Sequence, residues 1–335
     1  MFSRTFAAVA AAGALAAGTL VAGAALAQDL VLPSEVAATH WKTGYMNDFA
    51  KEVDQKTDGK ISVKVFPGGQ LYSDREALAA IGTGAVQMVW PVSVRLETIV
   101  PQTGVINLPF SLTDTSMQNA CMKTGITKML SDYMKPAGMK VLGLLRTADL
   151  LFIFSRDDVK SMDGLKGKKV RITGGRVVQE TMRELGVSPV SMAASEMSTA
   201  LSQGAIDGIL TSPAGWSEMI GMTGKYAFYV PGLSLLTYAV VVDQKWFDGL
   251  PEDQQKAIQS SVDDVVAKEW TGAIAKDKEA LKKMKADGAV LNVADDAQIA
   301  EWKKLTAKTS ESFSKKYPDA MKRMDQLESH CGISG

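Results

Sequence analysis

The residue best placed to do chemistry is an arginine in the stretch 163–186, DGLKGKKVRITGGRVVQETMRELG. Residues 168–172 read as a short strand in which Val170 and Ile172 share one face, so Arg171 takes the other. Thr173-Gly174-Gly175 breaks the strand, and residues 176–185 take up helical spacing (Val177, Val178, Met182, Leu185) before Gly186 stops it. This predicts an arginine at the carboxyl end of a strand, beside the N-terminus of the next helix. In open α/β sheets ligands bind outside the carboxyl ends of strands, and helix N-termini favour anions. A guanidinium there suits a carboxylate or phosphate clamp. The competing reading is a surface arginine in a solvated ion pair.

Other chemistry lacks its residues. With only His40 and His330, Ser-His-Asp catalysis has one plausible base, and no G-x-S-x-G accompanies it. No H-E-x-x-H, P-loop or G-x-G-x-x-G is present, and Gly82-Thr83-Gly84 follows a helix where a dinucleotide site needs a strand. His40 precedes a helix as a ligand contact or, more commonly, a half-exposed side chain. Asp263-Asp264 and Asp295-Asp296 read as solvated faces and caps. These observations imply no enzyme, no cofactor and no metal. The 37 Lys and Arg balance 37 Asp and Glu, without a basic patch interleaved with aromatics, which excludes a nucleic-acid partner. Two cysteines, Cys121 and Cys331, encode no disulfide framework or thiolate cluster. They pair across the chain or stay free thiols.

The elements that must position Arg171 alternate. Residues 30–33 form a candidate first strand, 41–56 a helix with Tyr45, Phe49 and Val53 every four residues, and 61–66 an alternating strand. Ser73 and Glu76 form a capping box for a helix to residue 81, and 86–90 reads as a strand ended by Pro91. After Leu108-Pro109-Phe110 the pattern is helical to about residue 135, then 140–145 and 150–155 read as strands. Beyond the central stretch come a strand at 189–192, a short helix at 196–203 with Ser195 as N-cap, and a strand at 206–210. The apolar run 235–242 fits a strand buried on both faces. Pro251 opens a helix to residue 286, about 50 Å long at roughly 1.5 Å per residue, enough to brace two domains. A last helix through Ile299, Trp302, Leu305 and Phe313 and a short tail close the chain. This is an α/β pattern.

Residues 1–27 read as a secretory leader: Arg4, an Ala/Val/Leu-rich core, then Ala25-Leu26-Ala27 for cleavage. No later stretch reaches the roughly 18 apolar residues of a spanning helix. A soluble periplasmic protein starting at Gln28 is predicted, with no stable membrane insertion; its remaining 308 or so residues suit two domains.

Asp163-Gly164-Leu165-Lys166-Gly167-Lys168-Lys169-Val170-Arg171 resembles the D-L-K-G-x-K-x-R signature of the solute-binding proteins of TRAP (tripartite ATP-independent periplasmic) transporters. The similarity runs through Leu185-Gly186, Ser195-Glu196, Thr199-Ala200-Leu201, Gly204 and Asp207-Gly208; Phe66-Pro67-Gly68-Gly69-Gln70-Leu71 and Leu108-Pro109-Phe110 match two further blocks. Each block is weak alone; the order makes the match specific. The resemblance implies a two-domain periplasmic-binding-protein fold (type II-like) with crossing strands and a long domain-spanning helix. The implied division is domain I, residues 28–148 and 237–276, and domain II, 149–236 and 277–330. It also implies capture of a small organic acid in the interdomain cleft and delivery to the paired TRAP membrane subunits. The arginine aligned with Arg171 would clamp the carboxylate, since a planar fork matches it bidentately. Trp90, Arg95, Gln70, Thr211, Trp216 and Tyr238 align with cleft-facing regions, the aromatics having core packing as their alternative. Leu150 stands where many relatives carry a second arginine, beside Asp149, and Thr211-Ser212-Pro213 replaces the usual Q-E-N-P. The far end of the ligand is therefore open: a C4-dicarboxylate, a sugar acid, or an aromatic or hydroxy monocarboxylate. A receptor for another transporter or sensor and a secreted enzyme are the rival readings.

Overall fold

The computed structural model describes residues 28–333; the expected leader, residues 1–27, lies outside the described residues. The first half runs β1 (Gln28–Pro33), α1 (Trp41–Lys56), β2 (Ile61–Phe66), α2 (Asp74–Ala80), β3 (Met88–Val89), α3 (Asp114–Gln118), α4 (Ala120–Met134), β4 (Met139–Asp149) and β5 (Leu151–Phe154). Then follow β6 (Lys169–Ile172), α5 (Arg176–Glu184), β7 (Ser188–Ser191), α6 (Met197–Ser202), β8 (Gly208–Thr211), the single turn α7 (Pro213–Gly215), β9 (Tyr226–Tyr229) and β10 (Leu235–Asp243). The chain ends with α8 (Gln244–Asp248), α9 (Glu252–Ala286), β11 (Val290–Val293), α10 (Asp296–Lys316) and α11 (Pro318–His330).

Two sheet systems form two lobes. β1 and β2 pair in parallel, and β3-β10-β4 form an antiparallel sheet beside them. The Gln87 side chain accepts from the Val31 N–H at 2.9 Å and so joins β1 to the β3 segment. The second system is six-stranded, β11-β9-β5-β8-β6-β7, with β6 parallel to both of its neighbours. α9 carries the chain between the lobes a third time, into β11, after two crossings of extended chain, from β4 into β5 and from β9 into β10. The extended crossings lie side by side: the Leu150 N–H donates to the Ser234 carbonyl at 3.0 Å.

The long helix ties the crossing to both lobes. α9 carries Ile258 and Val262 into the first core and Met284 into the second. It also satisfies the open edge of β4: Gln259 donates to the Leu142 carbonyl at 3.0 Å, the Trp270 indole to the Leu144 carbonyl at 2.7 Å, and Glu269 accepts from the Arg146 N–H at 2.7 Å. An edge strand that finds side-chain partners no longer offers a template to another chain.

Local signals mark several boundaries well. α1 buries the Met46, Phe49 and Val53 stripe, and the Ser73/Glu76 capping box opens α2. Other expectations change. The strand expected at 86–90 ladders only at Met88–Val89: Val86 bridges to Ile81 instead, and Pro91, which has no N–H, ends the run, although its carbonyl still accepts from Ala239 at 2.9 Å. The helix expected to run to about residue 135 is two helices, since Asn119 ends α3 and its side chain caps α4. Ser195 does not cap α6; a 3₁₀ turn, Ala194–Glu196, precedes that helix, and Glu196 instead holds the Ala193 N–H. The expected tail is a further helix, α11, begun by Pro318 at its first turn. β9 and β11 were unread in the sequence; they pair in parallel with each other, 64 residues apart at their first register pair (Val290 with Tyr226).

Candidate functional site

Arg171 is the only described residue of β6 to carry a buried charge into the space between the lobes, and it is 2% exposed. Its Nε and Nη2 donate to the Met192 carbonyl at 3.1 and 2.8 Å. That bond locks one edge of the guanidinium. The terminal edge, Nη1 with the second Nη2 hydrogen, has no protein partner among the described residues. Arg171 lines a cavity of about 30 Å³ together with Glu35, His40 and Asp74 from the first lobe and Thr211 and Tyr238. Burial, with Arg95 nearby, pulls the Arg171 pKa down to about 10 against the pull of Glu35.

A compact set of charges surrounds this cation. Glu35 and Asp74 hold each other's backbone: Glu35 N–H donates to Asp74 Oδ1 and Asp74 N–H to Glu35 Oε2, both at 3.2 Å. Arg95 lies 3.7 Å from Glu35, and Lys42 3.8 Å from Asp74. Lys42 also donates to the Trp90 carbonyl at 2.6 Å and sits 4.2 Å above the Tyr238 ring. Burial lowers the Lys42 pKa and raises that of Asp74 to about 7, pushing both towards neutrality. His40 is buried rather than half-exposed. It caps α1 by accepting the Lys42 N–H on Nδ1, and burial followed by Lys42 drops its pKa to about 3, so it stays neutral. Lys42, Arg95 and Arg171 face Glu35 and Asp74, which leaves one positive charge unmatched when all are ionised.

The lobes are latched around the cavity by carboxylates of one lobe that accept backbone N–H groups of the other. Glu35 accepts from Ala194 at 3.1 Å, Glu97 from Val177 at 2.9 Å, and Glu218 from Trp41 at 3.3 Å. The second of these corrects an expectation. The anion at the N-terminus of α5 is Glu97, supplied by the chain itself, so that helix end is already filled. Gly175 permits the approach: its φ is +84°, and a Cβ there would stand 2.7 Å from the Val94 Cβ. Gly175 is thus a close-packing position as well as a turn.

Of the expected site residues, Arg171, Thr211 and Tyr238 line the cavity. Arg95 faces an adjoining open groove with Ser191 and Ser195, its Nε buried and unpartnered. Trp90 and Trp216 are fully buried behind the walls; Trp90 packs on Phe49 at 5.5 Å and donates to Met88 Sδ, and Trp216 donates to the Gly224 carbonyl. Trp90 still shapes the site through its carbonyl on Lys42. Gln70 is exposed on its loop. Sequence reasoning missed Glu35, Asp74 and Lys42. Nothing in their spacing marks them, although an unpaired lysine on the buried stripe of α1 was a usable signal. Among the described residues no cluster suited to a metal ion occurs, and no helix is long and apolar enough to cross a membrane.

The buried carboxylates set a pH dependence. Burial raises Glu97 to about 7 from its ordinary 4.5, against the hydrogen bonds of Val177 and Asn107. The folded protein therefore binds this proton more tightly than the unfolded chain. The stability so gained is complete below about pH 4.5 and lost as pH rises through about 7. Asp74 and Glu269, raised to about 7 and about 8, act in the same direction. Urea unfolding midpoints should fall between pH 5 and pH 8; a rise over that window would contradict this assignment.

Two α/β lobes joined by crossing strands, braced by one helix and closed over a buried uncommitted cation define a solute-binding protein. The chain belongs to the DctP family, bacterial extracellular solute-binding protein family 7, whose pattern matches residues 33–316. It is 30% identical over 302 residues to the C4-dicarboxylate-binding periplasmic protein DctP of Rhodobacter capsulatus, covering 88% of this chain and 86% of that one. The sugar acid binding protein DctPAm of Advenella mimigardefordensis, solved with galactonate, has the same fold at 20% identity, with a TM-score of 0.85 over 90% of this chain and 98% of that one. So does DctP7 of Bordetella pertussis, an extracytoplasmic receptor binding pyroglutamic acid, at 20% identity and a TM-score of 0.81, over 90% of this chain and all of that one.

Proposed function

We propose that this protein is the periplasmic receptor for a small organic acid, which it passes to the membrane subunits of a TRAP transporter. The observation that carries the reading is the terminal edge of Arg171: buried, oriented by the Met192 carbonyl, and without a protein partner. Two parallel N–H donors in a fixed plane match a carboxylate. The single unmatched positive charge around it accommodates one anion. The neighbouring Thr211 and Tyr238 supply polar contacts from strands of the two sheet systems.

The moving bodies are residues 28–148 with 237–276, and 149–236 with 277–330. α11 reaches back from the second to pack on α4 and on the 3₁₀ segment Pro101–Asn107 of the first. The cavity draws Glu35, His40 and Asp74 from one body and Arg171, Thr173 and Thr211 from the other. A ligand touching both favours the closed arrangement. Native mass spectrometry of protein purified from the periplasm without denaturation should retain an organic acid. Small-angle scattering should then give a smaller radius of gyration with that acid than after its removal. An unchanged radius at saturation would indicate a rigid pocket, and turnover of the retained acid would mark an enzyme instead.

A further inference from the structure

β4 carries an irregularity where it meets the cavity. Leu236 pairs with Ala148 and Thr237 with Arg146, so Thr147 has no partner residue on β10. Such a bulge adds one residue to one strand and re-aims the side chain there. Thr147 lines the same cavity as Arg171. It is 5% exposed, and its Oγ1 has no hydrogen-bond partner among the described residues. A buried hydroxyl left unpaired is unfavourable, and an occupant that bonds it removes that penalty.

The remaining charges limit what the occupant can be. Arg95 is opposed by Glu35 at 3.7 Å; Lys42 is opposed by Asp74 at 3.8 Å and bonded to the Trp90 carbonyl. Leu150 and Leu236 make another part of the wall apolar. A second carboxylate would therefore meet Glu35 and Asp74 with no free cation. The cavity is small, about 30 Å³. Thr147 and Arg171 line this one cavity, so one small molecule can bond both.

We propose that Thr147 is a specificity-determining residue whose hydroxyl bonds a substituent beside the carboxylate, so that the ligand class is a short monocarboxylate carrying a 2-hydroxyl or 2-oxo group. This rests on the carboxylate-receptor reading above. Calorimetry on the full exported protein tests it, with lactate, pyruvate, propionate, succinate and glucuronate as titrants. Lactate or pyruvate should bind at least about tenfold more tightly than propionate, which has the same three carbons without the substituent. Succinate should be weaker than the best monocarboxylate by about a hundredfold, the order expected for a charge with no partner, and glucuronate, whose single charge sits on a bulky ring, should be weaker for its size. Thr147→Val keeps the side-chain shape and removes the hydroxyl. It should bring lactate and pyruvate down to the affinity of propionate and leave propionate itself within about threefold, while Thr147→Ser restores the difference. A folded Thr147→Val variant that keeps the wild-type ratio overturns the assignment, and so does succinate or glucuronate as the tightest ligand. Those results would leave an acid receptor standing. If no acid of any class binds the folded protein, the receptor reading falls and this inference falls with it.

Discussion

Arg171→Ala is expected to abolish measurable binding of the acid retained on purification, and Arg171→Lys to recover only part of it. The terminal guanidinium edge offers two parallel charge-assisted hydrogen bonds. Each is worth about 1.5–3 kcal/mol, so losing the pair costs roughly 3–5 kcal/mol, several hundred-fold or more in affinity. Burial holds the Arg171 pKa near 10, so an arriving carboxylate also relieves a poorly solvated cation. Lysine keeps a charge but offers one point contact, and it lacks the Nε–H that, with Nη2, grips the Met192 carbonyl. A deficit of at least about tenfold should remain. The fold should survive both changes, because Arg171 lines the cavity between the lobes and belongs to neither hydrophobic core. Calorimetry with circular dichroism as the folding control decides it. If folded Arg171→Ala binds within a few-fold of wild type, the clamp lies elsewhere, with Arg95 and its unpartnered Nε the next candidate.

The second large effect concerns stability. Cys121 and Cys331 are bonded across a separation of 210 residues, with Cα atoms 5.6 Å apart. In the chain-entropy account, closing a loop of that length stabilises the fold by about 5 kcal/mol. The bond fixes the end of α11 to the first turn of α4. Around it, Asn119 donates to the Cys331 carbonyl at 3.2 Å, and Leu327 packs on Gly125, where any Cβ would stand 2.2 Å from it. Arg323 pairs with Asp132 on the same helix pair. Reduction, or replacement of both cysteines by serine, should release α11 and lower the melting temperature by about 10 °C at this chain length. Ligand affinity should change little, since neither residue lines the cavity. Two titratable thiols in exported protein, or a double-serine variant that melts with the wild type, would contradict the pairing.

What the chain determined by itself is what depends on near neighbours. The stripe on α1, the capping box before α2, the turn after Ile172 and the span of α9 rest on spacing over a few residues, and the structure has them close to where spacing puts them. Arg171 was legible for the same reason: alternation along β6 set its face, and the glycines that follow set the strand end. The signature around it carried the family. Tertiary structure decided the rest. Trp90 and Trp216 could be cleft or core on pattern alone, because a strand or turn covered on both sides has no polar face to tell them apart. Glu35, Asp74 and Lys42 are unremarkable in sequence and become a charge cluster only when α1, α2 and the loop after β1 converge. Glu97 reaches the N-terminus of α5 from 80 residues away and takes the place a ligand anion was expected to hold. Pairing of the two cysteines, and the bulge that turns Thr147 inward, depend on strand register and helix docking. Those contacts join residues far apart in the chain, where local spacing carries no information about distance.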